Sequence, residues 1–257
     1  WVLINGNQTC LIFLYYIIKN RIAMGKMQPN DFIVKTIVTT ELIKAVADKN
    51  KIEMRDCYTG FKWIAAVIRE LEGDHRYLGG GEESYGFLAE DFCRDKDSVS
   101  AISLMAEIAA WARDRNMTYM DMIKDMYLKY GYSHEEGISV VRPGKTGADE
   151  IAAMMVNFRN NPPKTLGGSK VVTIKDYQTL LETNVETGET KPLDFPATSN
   201  VLQYFTEKGY KVSIRPSGTE PKIKFYLEVR EDMKSVEDYD ACGERANATI
   251  AAIKKDL

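Results

Sequence analysis

An arginine, a glycine and two hydroxyl residues lie close together in residues 215–221, whose sequence is RPSGTEP. The guanidinium of Arg215 can donate paired hydrogen bonds to phosphate oxygens, and the hydroxyls of Ser217 and Thr219 add further donors. Gly218 lets backbone N–H groups turn toward the same anion. The combination indicates a phosphate-binding loop between two strands. The alternative from these residues alone is a polar turn, which proline, serine and glycine form routinely.

A second candidate for chemistry is the acidic and glycine-rich segment 79–86, with the sequence GGGEESYG. Three consecutive glycines after the apolar run that ends at Leu78 predict that a strand gives way here to a flexible loop. The paired carboxylates of Glu82 and Glu83, beside the hydroxyl of Ser84, can accept hydrogen bonds from neighbouring hydroxyl groups of a sugar. The alternative is a solvated loop whose acidic side chains point to water.

Two lysines stand at the start of predicted helices. Lys62 belongs to the segment TGFK at 59–62, and Lys96 belongs to RDKD at 94–97. The N-terminus of a helix carries partial positive charge, so a cation there is slightly unfavourable unless an anionic ligand lies in front of it. The alternative is that both ammonium groups simply point into solvent, as most lysines do.

Residues 143–147, PGKTG, share part of the pattern of a nucleotide-binding P-loop. The required spacing fails because Ser139 stands where that motif needs a glycine. We therefore interpret 143–147 as a loop leading into a helix from Ala148, with Asp149 and Glu150 in its first turn.

The histidines and cysteines form no metal-binding pattern in the sequence. We interpret His75 and His134 as loop residues, since neither has a recognisable cluster of partners. The four cysteines are scattered without a CxxC pair, which argues against zinc and fits reduced thiols in the cytoplasm. No metal ligand is predicted in this chain.

The composition limits the classes of function. With 257 residues, 44% hydrophobic and 28% charged, the sequence predicts folded domains, not a disordered chain. A formal charge of −3 provides no general attraction to nucleic acid, and we predict no nucleic-acid partner. The longest apolar run, residues 10–18, is shorter than the roughly 20 residues of a membrane span, so no membrane association is predicted.

The order of apolar patterns predicts two domains. Up to residue 78, β-branched runs alternate with helical stretches, which is typical of an α/β domain with a mixed, largely parallel sheet flanked by helices. Two helices follow over 97–115 and 118–130, with Ile102, Met105, Ile108 and Trp111 predicted on a core-facing stripe.

The pattern changes after residues 131–137, which we interpret as irregular. We then expect a strand at 138–141, a helix at 148–158, four further strands and a last helix. These elements predict an α+β domain with a mostly antiparallel sheet. The predicted domains are residues 1–132 and 133–257.

Four of these segments together resemble a known family. TGFK, GEESYG, RDKD and RPSGTEPK occur in the order and rough spacing of the α-D-phosphohexomutase superfamily. The sequence resembles the C-terminal half, the third and fourth of four domains, of a phosphoglucomutase/phosphomannomutase. Each motif alone is only modest evidence for the family, whereas four motifs in the family's order are specific for it. The resemblance covers essentially all 257 residues.

The resemblance implies a role for each matched residue. In the third domain, Glu82, Ser84 and Lys62 would bind the sugar, while Lys96 would face the substrate and assist proton transfer at the reacting hydroxyl. In the fourth domain, the phosphate that is not being transferred would be held by Arg215, Ser217, Gly218 and Thr219. We expect the two loops to face one cavity and to hold opposite ends of a sugar phosphate.

The resemblance also implies an activity. The full-length protein would be an isomerase and phosphotransferase of carbohydrate metabolism, interconverting hexose 1-phosphate and 6-phosphate, with glucose favoured and mannose left open. Such a phosphoprotein uses a phosphoserine, a hexose bisphosphate intermediate and Mg²⁺.

Neither the phosphoserine loop nor the Asp-rich magnesium loop has a match in this sequence. The lack of an initiator Met at Trp1 also suggests a piece of something longer. We therefore expect this fragment to be inactive without the N-terminal domains of the same chain. Two alternatives remain at this point: a stand-alone sugar-phosphate or anion-binding module, and a phosphopentomutase.

Overall fold

A computed structural model describes residues 2–257, apart from the side chain of Lys145. The chain divides into two compact units. The first contains residues 2–131 together with Met233–Val236, and the second contains Tyr132–Asp232 and Glu237–Leu257. The boundary placed at residue 133 stays a prediction, and Trp1, with which the predicted first domain begins, lies outside the described residues.

The first unit alternates helices and strands, as the sequence predicts. Its elements are α1 (Gly6–Ala23), β1 (Asp31–Thr36), α2 (Leu42–Asn50), β2 (Glu53–Cys57), α3 (Phe61–Glu70), β3 (Arg76–Gly81), β4 (Phe87–Ala89), α4 (Ser98–Arg113) and α5 (Tyr119–Tyr130). The sheet has the order β2-β1-β3-β4, in which β1 runs parallel to β2 and β3, and β4 runs antiparallel to β3. The predicted fold class of this part is confirmed.

The core of the first unit covers both faces of its central strand. Every residue of β1 is buried, which is expected of a parallel strand with helices on each side. On one side Phe32 and Val34 pack against Ile64 and Ile68 of α3. The helix α1 is apolar around most of its circumference because it contacts β3 as well as α2, α4 and α5.

The second unit is built on an antiparallel sheet. Its elements are β5 (Tyr132–Val141), α6 (Gly144–Asn160), β6 (Thr165–Leu166), β7 (Ser169–Asp176), β8 (Leu181–Asn184), β9 (Thr190–Pro192), β10 (Leu202–Thr206), β11 (Lys211–Pro216), β12 (Lys222–Glu231) and α7 (Tyr239–Asp256), which follows a 3₁₀ turn at Val236–Asp238. The strand order is β5-β12-β11-β10-β7-β8-β9, with β6 paired to β7. Helices α6 and α7 contact β12, and this confirms the predicted α+β class.

Two boundaries predicted at the start of the second unit are wrong. Residues 132–137 are not irregular but open β5, which pairs with β12 from Tyr132 to Val141. Cross-strand pairing along ten residues outweighs the polar local sequence, and it also places His134 on a strand, not in a loop.

The segment 143–147 is likewise not a loop beyond Pro143. Helix α6 begins at Gly144, so Asp149 and Glu150 lie in its second turn. The side chain of Lys145 is outside the described part of the chain. The short strands β4, β6, β8 and β9 were not predicted, because two to four residues carry too weak a pattern.

The predicted stripe on α4 is wrong at one end. Ile108 is fully buried, whereas Ile102 is 70% exposed. Residues spaced by three drift backwards by about 60° per step around a helix of 3.6 residues per turn. Ile102 and Ile108 are two such steps apart, so their side chains point in directions about 120° apart, one toward solvent and the other toward the core.

None of the helices formed by residues 2–257 is both long and apolar enough to cross a membrane.

Candidate functional site

The acidic segment forms a tight loop at the carboxyl end of β3. We call residues 82–86 the acidic loop. It joins β3 to β4, and the N–H of Glu82 donates to the carbonyl oxygen of Gly86 at 2.8 Å. Because β1, β2 and β3 are parallel, their carboxyl ends lie at the same edge of the sheet, and the loop after β2 lies there too.

The three glycines before the acidic loop are not a flexible loop, contrary to the sequence prediction. Gly79–Gly81 are buried inside β3, with Gly80 paired to Val34. A Cβ at Gly80 would overlap the carbonyl oxygen of Val34, and one at Gly81 would lie 2.6 Å from the carbonyl oxygen of Gly86. These positions are glycine because neighbouring backbone packs too closely for a side chain.

Glu82 connects the acidic loop to the start of α3. Its side chain is buried, and Oε1 accepts a hydrogen bond of 2.6 Å from the N–H of Gly60. Gly60 has a φ of 107°, a conformation that favours glycine, and it is the N-cap of α3. Lys62 lies in the first turn of this helix, with its Nζ 5.3 Å from the centre of the Trp63 ring.

Lys96 lies beside Glu82 across Gly86. A Cβ at Gly86 would be 3.1 Å from Oε2 of Glu82, 3.2 Å from Cδ of Lys96 and 3.0 Å from the Phe61 ring. The ammonium of Lys96 lies 3.3 Å from Oδ1 of Asp95 and 5.5 Å from the centre of the Phe61 ring. The structure therefore brings Glu82, Lys96 and the start of α3 together, while Ser84 is exposed in the acidic loop.

Glu83 points to the opposite side of the loop, toward two threonines at the end of β1. Its Oε2 accepts hydrogen bonds of 3.4 Å from the hydroxyls of both Thr36 and Thr39. Burial raises the pKa of the Glu83 carboxyl, and the neighbouring Glu82 raises it further. The two adjacent acids therefore differ in surroundings, and Glu83 fastens the loop to β1.

We predict that Glu83→Gln changes the pH dependence of stability. A carboxyl whose pKa is raised in the folded state is held protonated more tightly there than in the unfolded chain, so its contribution to stability falls as pH rises above the unfolded pKa. The free energy of unfolding of the variant, relative to the parent, should therefore increase from roughly pH 4 to pH 7. Urea unfolding across this range tests it, and parallel pH profiles for variant and parent would contradict it.

The N-terminus of α1 packs directly on the acidic loop, which sequence reasoning missed. A Cβ at Gly6 would overlap the carbonyl oxygen of Glu83 and lie 2.8 Å from the backbone nitrogen of Tyr85. The hydroxyl of Tyr85 donates to the carbonyl oxygen of Ile4 at 3.1 Å. The available signal was a glycine beside the capping residue Asn5, ahead of a long apolar run.

Gly6→Ala is predicted to destabilise the first unit by about 1–3 kcal/mol, because the new methyl group meets backbone that cannot move aside cheaply. The sign is informative, since alanine in a helix is otherwise more favourable than glycine. Gly137→Ala is the matched control, as a Cβ there meets nothing within 4 Å. Urea unfolding measures both, and equal or higher stability of the Gly6 variant would count against the close contact.

A buried lysine at the end of β1 is a second feature that sequence reasoning missed. Lys35 is inaccessible to solvent, and its Nζ lies 2.7 Å from Oδ1 of Asp56 and 3.0 Å from Oε1 of Glu41. Burial lowers the pKa of Lys35, but these two carboxylates outweigh burial and raise it above its usual range. The charged lysine thereby links the ends of β1 and β2 to Glu41, the residue before α2.

The arginine-containing segment forms the turn between β11 and β12 in the second unit. We call residues 215–221 the arginine loop. Arg215 is the penultimate residue of β11 and pairs with Lys224. The N–H of Ser217 donates to the carbonyl oxygen of Lys222 at 2.7 Å, and the N–H of Thr219 lies 3.4 Å from Oγ of Ser217.

Gly218 lies at the tip of the arginine loop. Its φ is not in the positive range, and a Cβ there would meet no atom within 4 Å. Neither backbone conformation nor packing within the described chain requires glycine at this position.

A cavity of about 470 Å³ lies between the arginine loop and α6. Ser217, Gly218 and Thr219 line it, whereas Arg215 is not among the described residues that do so. Gly144, the first residue of α6, also lines it, and no side chain caps the first N–H groups of that helix. The cavity therefore presents hydroxyls and backbone groups that suit an anion. Its remaining lining includes the apolar Ala148, Ile151, Ala152 and Met155, and Glu220, whose carboxylate pairs with Lys222.

Comparison with known protein families decides the classification. Residues 5–130 match the family model described as phosphoglucomutase/phosphomannomutase, alpha/beta/alpha domain III, and residues 155–241 match that of the C-terminal domain. The chain belongs to the phosphoglucomutase/phosphomannomutase family. The resemblance inferred from the four sequence motifs is thereby confirmed.

Relatives and solved structures agree with this family. Over 246 residues the chain is 35% identical to a phosphoglucomutase of Staphylococcus aureus (strain MRSA252), covering 96% of this chain and 43% of the relative. A Staphylococcus epidermidis phosphoglucomutase (strain ATCC 12228 / FDA PCI 1200) is 33% identical with the same coverage. The chain thus spans less than half the length of these curated relatives.

The fold is shared with the open form of pp63/parafusin, a phosphoglucomutase from Paramecium. The TM-score is 0.62 at 16% identity, over 98% of this chain and 43% of the other. A family protein from Burkholderia thailandensis aligns with a TM-score of 0.51 at 13% identity, over 99% and 42%.

Family membership leaves the individual site residues as predictions. In the described part of the chain, no group of three or more His, Cys, Asp or Glu residues could hold a metal ion. The family's Mg²⁺ is therefore not fitted by these residues.

Proposed function

We propose that this chain is the substrate-recognition half of a phosphohexomutase that interconverts hexose 1-phosphate and 6-phosphate, with glucose as the favoured sugar. The observation that carries the proposal is the grouping of Glu82 and Lys96 around Gly86 at the carboxyl edge of a parallel sheet, where such folds bind ligands. One acceptor and one cation beside an exposed loop suit a hydroxylated anion.

Sugar recognition is assigned to the acidic loop and the two lysines. Oε1 of Glu82 already accepts a hydrogen bond from the N–H of Gly60. We assign its other oxygen, Oε2 beside Gly86, to one sugar hydroxyl, and Ser84 to a neighbouring hydroxyl of the same sugar. Lys62 would bind the sugar together with the acidic loop, and Lys96 would face the substrate. Lys96 is also assigned to proton transfer at the reacting hydroxyl, because its ammonium is close to the loop and only loosely held by Asp95.

Phosphate recognition is assigned to the arginine loop. Arg215 would bind the phosphate that is not being transferred, and Ser217 and Thr219 would donate hydroxyl hydrogen bonds to it. Glycine at position 218, which nothing in the described chain requires, would let the backbone approach the phosphate closely. The orientation supplied in this way supports transfer but contributes no phosphoryl donor.

The transferable phosphate and the magnesium ion are assigned to the part of the polypeptide outside this sequence. In the proposed reaction a phosphoserine gives its phosphoryl group to one sugar hydroxyl, the hexose bisphosphate turns around, and the other phosphate returns to the serine. Mg²⁺ bound in that part would offset the charge on the moving phosphoryl group. The 257-residue chain alone is therefore expected to be inactive.

The proposal is tested by comparing the full-length protein with the 257-residue chain. We expect the full-length protein to convert glucose 1-phosphate to glucose 6-phosphate, and the short chain to bind glucose 1,6-bisphosphate in calorimetry without turnover. Mannose 1-phosphate and ribose 1-phosphate in parallel assays rank the sugars. Binding without turnover by the full-length protein would instead favour a binding module, and turnover of the ribose ester alone would favour a phosphopentomutase.

A further inference from the structure

Helix α4 has apolar residues on its solvent side as well as on its core side. The core side contains Ile108 and Ala112, which are buried. The solvent side, which we call the α4 outer face, is formed by exposed residues that fall within about 100° of the helix circumference: Val99, Ile102, Ala106, Ala109 and Ala110, with Arg113 in the same arc at the C-terminal end of the helix.

The exposure of this face is large for its residue types. Val99 is 72% exposed and Ile102 is 70% exposed. Only Glu107 and Arg113 are charged among the sixteen residues of α4, and of these only Arg113, in the last turn, lies on the outer face, whereas the outer side of a surface helix is normally charged and polar along its length. A helix that is apolar on a second side as well as on its core side is typical of one that is covered on both.

We propose that the α4 outer face docks against the domains that precede this segment in the full-length polypeptide. The matched family model is numbered domain III, and more than half the length of the curated relatives lies outside their match to this chain. The missing polypeptide is therefore large enough to cover the helix. This proposal rests on family membership and not on the substrate assigned above.

Docking at this face would also affect the candidate site. Asp97 is the N-cap of α4, and its carboxylate accepts hydrogen bonds from the N–H groups of Val99 and Ser100 at 3.2 and 2.9 Å. Lys96 immediately precedes this cap. A preceding domain that holds α4 in place would thus fix the backbone from which Lys96 extends toward Glu82.

The test is to introduce a charge on the α4 outer face in two lengths of the protein. Ile102→Lys should lower the melting temperature of the full-length protein by about 5 °C or more, because it places an unpaired charge in an apolar interface. In the 257-residue chain the same variant should change it by less than about 1 °C, since the side chain is exposed there. Val185→Lys, at an exposed valine outside α4, is the control and should leave the melting temperature unchanged in both lengths.

Other occupants of the face predict different outcomes. An equal loss in both lengths would overturn the proposal, because the face would then be covered within the 257-residue chain or by a second copy of it. No loss in either length would overturn it as well. If the Ile102→Lys variant of the full-length protein does not fold, Ile102→Ala replaces it, with a smaller loss of melting temperature expected in the full-length protein only.

Sedimentation at two concentrations shows whether a second copy is involved, and loss of a dimer on substitution would contradict docking within one polypeptide.

Discussion

Arg215→Ala is expected to weaken binding of glucose 1,6-bisphosphate by about tenfold or more, measured by calorimetry on the 257-residue chain and on the full-length protein. A charge-assisted hydrogen bond contributes about 1.5–3 kcal/mol, and about 1.4 kcal/mol corresponds to a factor of ten. The guanidinium lies at the end of β11, immediately before the hydroxyls of Ser217 and Thr219, so its removal takes away the only full charge assigned to the phosphate. Arg215→Lys should recover part of the affinity, because it restores the charge but not the paired donors.

A matched control separates this effect from a general loss of charge or stability. Arg245 is also on the second unit and half-exposed, but it pairs with Glu231 at 3.1 Å and lies outside the arginine loop. Arg245→Ala should leave the affinity within about a factor of two, as expected for an exposed ion pair. Unchanged affinity in the Arg215 variant, or equal losses in both, would remove the phosphate assignment.

Lys211→Met is expected to destabilise the second unit by about 3–5 kcal/mol, because it leaves the carboxylate of Glu228 buried opposite a neutral side chain. The two residues face each other across β11 and β12, with Nζ 3.1 Å from Oε2 and side chains only 1% and 3% exposed. Ser133 also donates to Glu228 at 3.3 Å, but a hydroxyl cannot neutralise the charge. Urea unfolding followed by circular dichroism measures the loss.

Lys170→Met in the same sheet is the control for this prediction. Its ion pair with Glu186 is 3.5 Å long with side chains 52% and 73% exposed, so its loss should cost about 1 kcal/mol or less. The double variant Lys211→Met with Glu228→Leu should recover most of the stability lost by the single variant, because neither charge of this pair is then left buried without the other. If Lys211→Met is as stable as Lys170→Met, the carboxylate of Glu228 must contact solvent or another partner in the variant, which would contradict the prediction.

Much of the architecture could be predicted from the sequence because it depends on local patterns. The alternation of β-branched and helical stretches up to residue 78 predicted the parallel sheet, and the later run of strands predicted the antiparallel one. The family also followed from the sequence, since four short segments retain their residue types and order.

Other features depended on which elements meet in space. Three glycines in a row read locally as a flexible loop, but Gly79–Gly81 form a buried strand because Val34 and the chain at Gly86 pack against them. Cross-strand pairing with β12 turned residues 132–137 into a strand in the same way. In both cases long-range hydrogen bonds overrode the local preference of the sequence.

The sequence by itself determined the order of elements, the family and the types of residue available for binding a sugar phosphate. Only the tertiary structure decided that Glu82 holds Gly60, that Glu83 turns to Thr36 and Thr39, that Gly6 packs on the acidic loop and that Lys35 pairs with Asp56. The physical reason is that residues 21 to 77 positions apart come together only when the sheet forms, and no local period records such contacts.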